Sequence, residues 1–100
     1  MEHHDLLSGL VRLHILHHAA EHPIYGQWKI DELARHGYRL SPGTLYPMLA
    51  KMERDGYLNS QTEREGRTSR KFYTITQKGC EGLSLARLRL RALRGEAGTE

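Results

Sequence analysis

The spacing of apolar residues predicts four helices and one pair of strands. The helical spacing of three to four residues covers 5–21, 27–36, 41–55 and a stretch that begins at 76. Between Gly56 and the last helix the period falls to two, with β-branched and aromatic residues in "YLNSQTE" and "KFYTIT". Gly37 and Gly56 follow the second and third helices, at the position where glycine commonly ends a helix.

The two predicted strands enclose a short basic segment, "REGRTSR", whose Gly66 suits a hairpin turn. The order is therefore helix, helix, helix, strand, turn, strand, helix. We predict an α+β, mainly α, fold: a winged helix-turn-helix of three helices and a two-stranded wing, plus a fourth helix. In such a fold the third helix enters the DNA major groove, and the wing reaches phosphates or the minor groove.

The first predicted helix carries two apolar stripes. The stripe expected to face the core comprises Leu6, Leu10, Leu13, Leu16 and Ala20. The second comprises Leu7, Val11 and Ile15. A helix that is apolar on two sides has two surfaces to bury, so we predict that the second stripe packs against another subunit.

The last predicted helix has the spacing of a coiled-coil seam. Its apolar positions are Leu83, Ala86, Leu90 and Leu93, three and four residues apart. We predict a DNA-binding domain over 1–76, a dimerisation helix over 77–95, capped by Thr76, and a disordered tail over 96–100.

Composition limits the class of protein. The chain has 100 residues, a net charge of +3, one cysteine and 38% hydrophobic residues, which indicates one small folded domain without a disulfide framework. No apolar run reaches the ~18 residues of a membrane span, and the N-terminus does not resemble a signal peptide. We therefore expect a cytoplasmic protein with no membrane partner. The sequence has no nucleophile elbow, glycine-rich phosphate loop or pair of carboxylates in a plausible cleft, so we do not expect an enzyme.

The third helix provides a candidate DNA-binding face. At 100° per residue, Leu45, Leu49 and Met52 share the core side, opposite small and hydrogen-bonding residues. Pro42 suits the first helical turn, and Pro47 gives up only a bond to the Gly43 carbonyl, on the side that faces water. The predicted DNA-binding residues are Ser41, Gly43, Thr44, Tyr46, Pro47, Lys51 and Arg54 on this helix, and Arg64, Arg67, Arg70 and Lys71 on the wing.

The segments "LSPGTLYPMLAKMERDGYL" at 40–58 and "EGRTSRKFYTIT" at 65–76 resemble the PadR family of bacterial transcriptional regulators. The resemblance extends over roughly residues 6–82, and "SPGTLYP" is its most specific part. It implies a homodimeric regulator, usually a repressor, that binds double-stranded DNA and releases it when an effector arrives. The single helix after the wing is similar to the short-form branch. One departure is Thr68-Ser69, where a proline or a tighter wing is expected. A two-fold dimer predicts an inverted-repeat operator.

Two further features leave other functions open. His14, His18 and His22 recur every four residues, a spacing at which helical histidines share a divalent metal ion, which would make the protein a metal-responsive regulator. Alternatively, they are polar residues at a dimer seam. Tyr25 and Trp28 could line a pocket for a small hydrophobic effector, although Trp28 also suits a core anchor for the second helix. A winged-helix adaptor that does not bind DNA is a third alternative. We expect no required cofactor; the candidate ligands are a divalent metal ion and a small hydrophobic effector.

Overall fold

The computed structural model describes residues 3–97. In chain order its elements are α1 (His4–Glu21), β1 (Ile24–Tyr25), α2 (Gly26–Arg35), α3 (Pro42–Arg54), β2 (Leu58–Glu65), β3 (Thr68–Ile75) and α4 (Gln77–Ala97). This is the predicted α+β arrangement of three helices, a two-stranded wing and a fourth helix. None of the helices within 3–97 combines the length and the apolar character needed to cross a bilayer.

The wing is a long antiparallel hairpin with a tight turn. β2 and β3 pair over eight residues, and because Glu65 faces Thr68, the turn contains only Gly66 and Arg67. Gly66 has a φ of 61°, which glycine adopts readily and two-residue hairpins favour. The wing is therefore as tight as a hairpin can be, although Thr68-Ser69 had been noted as a departure from that expectation.

The sheet has a third strand that the sequence pattern did not reveal. β1 pairs antiparallel with β3, with Ile24 opposite Tyr73 and Tyr25 opposite Phe72, which gives the order β1-β3-β2. Two residues are too few to show a period of two, and Pro23 and Gly26 on either side indicated only a turn. β1 matters because it fixes the start of α2 against the wing.

Glycines end α2 and α3 as predicted. After α3, the Gly56 amide donates to the Glu53 carbonyl at 3.0 Å and the Tyr57 amide to the Met52 carbonyl at 2.9 Å. Gly56 has a φ of 88°. This pair of bonds satisfies carbonyls that would otherwise lack partners at the end of a helix.

A single hydrophobic core lies between α1, α2, α3 and the sheet. Its buried members are Val11, Ile15, Leu16, Ala19, Ile24, Leu33, Leu40, Leu45, Met48, Leu49, Met52, Leu58, Tyr73 and Leu83. Every helix and strand contributes at least one of these residues, so removing any element would expose part of the core.

The two stripes of α1 do not divide as predicted: Leu16 of the expected core stripe is buried, but so are two members of the second stripe, and the N-terminal members of the core stripe are exposed. Val11 and Ile15 are 0% exposed in the core, whereas Leu6 is 78% exposed and Leu10 also faces outward. Residues that are already fully buried have no surface to offer to a second subunit. The assignment of Val11, Ile15 and the similarly buried Leu83 to a dimer interface is therefore wrong.

The start of α4 is fixed by a capping bond and by close packing. The Gly79 amide donates to the Thr76 hydroxyl oxygen at 3.0 Å, which confirms Thr76 as the cap. The helix continues to Ala97, so it is longer than predicted, and 96–97 are helical. The remainder of the predicted tail, 98–100, lies outside the described residues.

Candidate nucleic-acid interface

The two sides of α3 divide as the spacing predicts. Leu45, Met48, Leu49 and Met52 are buried. The predicted DNA-binding residues of this helix all have exposed surface: Ser41, Gly43, Tyr46, Pro47, Lys51 and Arg54 are exposed, and Thr44 is partly exposed. Both Gly43 and Pro47 thus lie on the water-facing side, where a carbonyl without an amide partner is solvated.

The beginning of α3 presents its polar groups to solvent. The Ser41 carbonyl accepts hydrogen bonds from the Thr44 and Leu45 amides, each at 3.0 Å. The Ser41 hydroxyl lies 3.3 Å from the Thr44 hydroxyl and makes no capping bond to the helix. These two hydroxyls stand beside the positive end of the helix dipole, which favours an anion there.

The basic residues of α3 and the wing differ in whether they already form an ion pair with a carboxylate. Lys51 forms an ion pair with Asp55 at 3.0 Å, a hydrogen bond that lowers the pKa of the Asp55 carboxyl. Lys71 lies 4.0 Å from Glu53. Among residues 3–97, no ion pair within 4.0 Å engages Arg54, Arg64 or Arg67, although the charge of Arg54 contributes to the lowered pKa of the Asp55 carboxyl. Arg67 occupies the tip of the wing.

Arg70 is held in place by an aromatic ring. Its guanidinium lies 4.1 Å from the centre of the Tyr25 ring, within the range of a cation–π contact. The Tyr25 hydroxyl in turn donates a 2.8 Å hydrogen bond to Glu63, which raises the pKa of Tyr25. Because Glu63 also faces Arg70 across the hairpin, Tyr25 and Glu63 together fix the direction of a wing arginine.

A polar cleft of about 290 Å³ joins the wing to the beginning of α2 and to α3. It is lined by Tyr25, Gly26, Gln27, Trp28, Tyr46, Ser69, Arg70 and Lys71. Tyr46 packs directly on Gly26, and a side chain at position 26 would overlap its ring, with the Tyr46 hydroxyl oxygen only 2.7 Å away. Gly26 therefore allows α2 and α3 to approach closely.

This cleft changes the interpretation of several residues. Tyr25 and Trp28, predicted to line an apolar effector pocket, stand beside two cationic side chains, Arg70 and Lys71, an environment that suits an anion. Gly26, Gln27 and Ser69 were not selected from the sequence. A glycine immediately before a helix was visible, but its tyrosine neighbour is twenty residues away and could not be inferred from spacing.

Known proteins match the chain over most of its length. The family model described as "Transcriptional regulator PadR-like family" matches residues 15–85. The chain belongs to the PadR-like family of transcriptional regulators. The curated relative "Transcriptional regulator Rv3488" of Mycobacterium tuberculosis is 48% identical over 92 residues, which cover 92% of this chain and 86% of that protein.

Solved structures agree on the fold of this PadR-like regulator. A PadR family transcriptional regulator from Eggerthella lenta has a TM-score of 0.81 at 30% identity, covering 94% of this chain and 83% of its own. A PadR-like transcriptional regulator from Bacillus cereus has a TM-score of 0.74 at 27% identity, covering 95% and 90%. The mainly helical winged fold predicted from the sequence is confirmed by these neighbours.

The PadR-like regulator also has an exposed apolar surface along α1 and α4. A groove lined by Leu6, Leu7, Gly9, Leu10, Leu13 and Leu93 runs between the two helices. Leu93 is 62% exposed and Leu90 38% exposed, while Ala86 is half-buried. Of the predicted interface residues, Leu7, Ala86, Leu90 and Leu93 thus retain surface that a second chain can cover.

A buried lysine lies at the centre of a histidine cluster between α1 and α2. Lys29 is 0% exposed and donates to the His14 carbonyl at 3.2 Å and to the Nδ1 atom of His18. Burial lowers the pKa of Lys29 to about 8, and burial followed by the nearby ammonium lowers the pKa of His18 to about 4. Sequence analysis missed Lys29, since lysine is rarely buried.

The predicted metal-binding histidines do not come together as a set. His22 uses its Nδ1 to donate to the Pro23 carbonyl at 2.9 Å. The His14 ring lies 4.9 Å from the His36 ring. Within 3–97, the group whose ligand atoms all lie within 4.8 Å of one another is His18, Glu32 and His36, so two of the three residues come from α2 and its end.

Proposed function

We propose that this chain is a sequence-specific DNA-binding repressor that acts as a homodimer on an inverted-repeat operator and is released by an effector. In this proposal α3 enters the major groove, the tip of the wing follows the adjacent phosphates or minor groove, and α1 and α4 form the dimer. Because its partner is chromosomal DNA, we place the protein in the cytoplasm. We propose no catalytic role.

The observation that carries the proposal is the polar cleft between α2, α3 and the wing. It brings the beginning of α2, the Tyr46 hydroxyl and the cations Arg70 and Lys71 to one surface, next to the exposed side of α3. Backbone amides at a helix start and fixed cations are the groups that proteins use to position DNA phosphates. An adaptor without DNA has no use for such a cleft.

We divide the surface into positioning and reading contacts. Arg64, Arg67 and Arg70 are suited to phosphates, since a guanidinium neutralises charge regardless of sequence. Thr44 and Tyr46, near the beginning of α3, carry hydroxyls that can bond base edges. Roughly four to six phosphate contacts in each subunit predict a steep loss of affinity with salt, near 0.9 in logarithmic slope for each contact.

Replacing Arg67 with alanine is expected to weaken binding to the operator and to unrelated DNA by similar factors, and to reduce the salt slope by about one for each subunit. Tyr46→Phe is expected to act mainly on the operator, because it removes a hydroxyl near the bases. Fluorescence anisotropy across a salt series, with DNA from upstream of the protein's own gene, measures both effects. Arg89→Ala on α4 is the matched control, since this arginine is exposed far from the wing. If the wild type forms no sequence-specific, salt-sensitive complex, the adaptor reading replaces the repressor.

Leu93→Glu is expected to break the dimer. Leu93 contributes exposed apolar surface to the groove between α1 and α4, and burying a leucine contributes about 1.5–3 kcal/mol. A carboxylate there should raise the dimer dissociation constant at least about 10-fold and reduce operator affinity in parallel. Light scattering after size exclusion measures the mass. Gln77→Glu adds the same charge about four helical turns earlier on α4 and should leave the dimer intact. An unchanged mass for Leu93→Glu would remove this face from the interface.

A further inference from the structure

We infer that His18, Glu32 and His36 form a binding site for one divalent transition-metal ion of the zinc type in each chain. The site differs from the evenly spaced histidines of α1: it takes one ligand from α1, one from α2 and one from the residue that ends α2. An ion held there bridges the first two helices of the domain.

The distances between the ligand atoms suit such an ion. The Nε2 atom of His18 lies 3.8 Å from Oε1 of Glu32, and the Nε2 atom of His36 lies 3.3 Å from the same oxygen. Zinc bonds of about 2.0–2.1 Å in a tetrahedron place neighbouring ligand atoms about 3.3 Å apart. The ligand atoms of the three residues all lie within 4.8 Å of one another, so shifts of up to about 1.5 Å bring them to bonding distance, and a fourth position remains for water.

Neighbouring side chains bind two of the three ligand residues through atoms other than those that would contact the ion. Arg35 donates to Oε2 of Glu32 at 2.5 Å, which leaves Oε1 directed at the two imidazoles. Lys29 contacts Nδ1 of His18, and Nε2 of the same ring faces Glu32. When Nε2 binds an ion, the ring proton lies on Nδ1 and is donated to the neutral amine of Lys29. Such outer contacts are the usual means by which proteins orient metal ligands. Glu32 also supplies the negative charge that a cation needs beside buried Lys29.

The kind of ligand selects the kind of ion. Two imidazole nitrogens and one carboxylate oxygen suit zinc, nickel, cobalt or ferrous iron, whereas magnesium and calcium prefer oxygen alone. His18 and Glu32 are 13% and 18% exposed at the side chain, but His36 is 45% exposed. The site is therefore built on the two partly buried residues and is open to solvent at His36, which provides a path of entry.

The site also lies behind the proposed DNA-contacting cleft. Trp28, which lines that cleft, has its ring centre 6.0 Å from the His18 ring and 5.1 Å from the His22 ring, both in edge-on contact. An ion at His18 thus lies one aromatic ring away from the beginning of α2. The inference itself does not require DNA binding, because its test measures the ion directly.

The test titrates zinc chloride alone into metal-free protein prepared without an oligohistidine tag. Native mass spectrometry and calorimetry are expected to show one tight zinc ion in each chain, and magnesium chloride should not compete. His36→Asn is the first variant, since this side chain is 45% exposed at the end of a helix and its loss should leave the core intact, which circular dichroism checks. We expect it to weaken zinc binding by at least about 10-fold, because even outer contacts of metal ligands contribute that much. Glu32→Gln should do the same.

The control is His22→Asn, which removes the histidine that follows α1, outside the group, and should bind zinc like the wild type. Equal zinc affinity of the wild type, His36→Asn and Glu32→Gln would contradict the site. The absence of tight zinc binding by the wild type would contradict it as well. In either case the cluster is only a hydrogen-bonded network. A parallel operator-binding assay in chelator separates this result from the proposed function. Wild type that binds DNA but no zinc contradicts the metal site alone.

Discussion

Gly79→Ala is expected to lower the free energy of unfolding by about 3 kcal/mol, through overpacking at the beginning of α4. A methyl group at Gly79 would overlap the Tyr57 backbone carbonyl and lie 2.6 Å from Cγ1 of Ile75. The carbonyl cannot rotate away, because it accepts the Thr76 amide at 3.1 Å. Relief requires α4 to move outward, which also strains the capping bond between Gly79 and Thr76.

Chemical denaturation of the wild type and Gly79→Ala, at one fixed protein concentration, measures this difference. Gly95→Ala is the matched control on the same helix, since no atom lies within 4 Å of the added methyl group. There alanine should raise stability by about 0.5–1 kcal/mol, through its higher helix propensity. Equal stability of Gly79→Ala and wild type would mean that α4 is not packed tightly on Tyr57.

The third helix, α3, and the wing could be predicted because each depends on local chemistry. On α3 the apolar residues fall on one face only, so the period fixes both the buried side and the exposed side. In the wing, Gly66 between two alternating segments determines where the chain turns. In both elements the information lies within about twenty consecutive residues, and it predicted correctly which residues of α3 and the wing are exposed.

On α1 the spacing of apolar residues does not show which of the two apolar stripes faces the core. Leucine, valine or isoleucine occupies both stripes, and Leu6 and Leu10 are as apolar as Val11 and Ile15. The choice depends on how α1 packs against α2 and against β3 and α4, the last two of which are distant in sequence. Leu6 and Leu10 of the first stripe face outward together with Leu90 and Leu93, whereas Leu16 of the same stripe joins Val11 and Ile15 in the core, so burial on α1 follows neither stripe.

The histidine cluster could not be predicted for a different reason. The regular spacing of histidines on α1 predicted metal ligands on one helix. In the structure His18 instead lies close to a residue of α2, with 3.8 Å between Nε2 of His18 and Oε1 of Glu32. Lys29 occupies the space between them, and composition alone gives no reason to bury a lysine. The polar cleft could not be predicted for a similar reason, since Gly26 and Tyr46 come into contact only in the folded chain.

The protein is expected to lose about 3 kcal/mol of stability between pH 6.5 and pH 4 through His18 alone. Burial, and after it the charge of Lys29, lowers the pKa of His18 from 6.5 to about 4. His17 and His14 act in the same direction, and Glu32 opposes them. The His18 side chain is 13% exposed, so solvent screens this effect only weakly.

The direction of the effect follows from proton binding. Between pH 4 and 6.5 the unfolded chain binds a proton at His18 that the folded chain does not, so acid favours unfolding. The contribution of His18 is complete above pH 6.5 and disappears as the pH falls to 4. A difference of about 2.5 pKa units corresponds to about 3 kcal/mol, at 1.36 kcal/mol for each unit.

His18→Asn separates this group from the other titrating residues. Asparagine keeps an acceptor near the position of Nδ1 for Lys29 but does not titrate, so the variant should lose about 3 kcal/mol less than the wild type over this range. Urea denaturation at pH 7, 6, 5 and 4, in chelator so that no metal ion contributes, measures the two curves. His3→Asn removes an exposed histidine outside the cluster and should follow the wild-type curve. Parallel curves for His18→Asn and wild type would mean that the imidazole takes up its proton without leaving Lys29, and that the contact between α1 and α2 tolerates two adjacent positive charges.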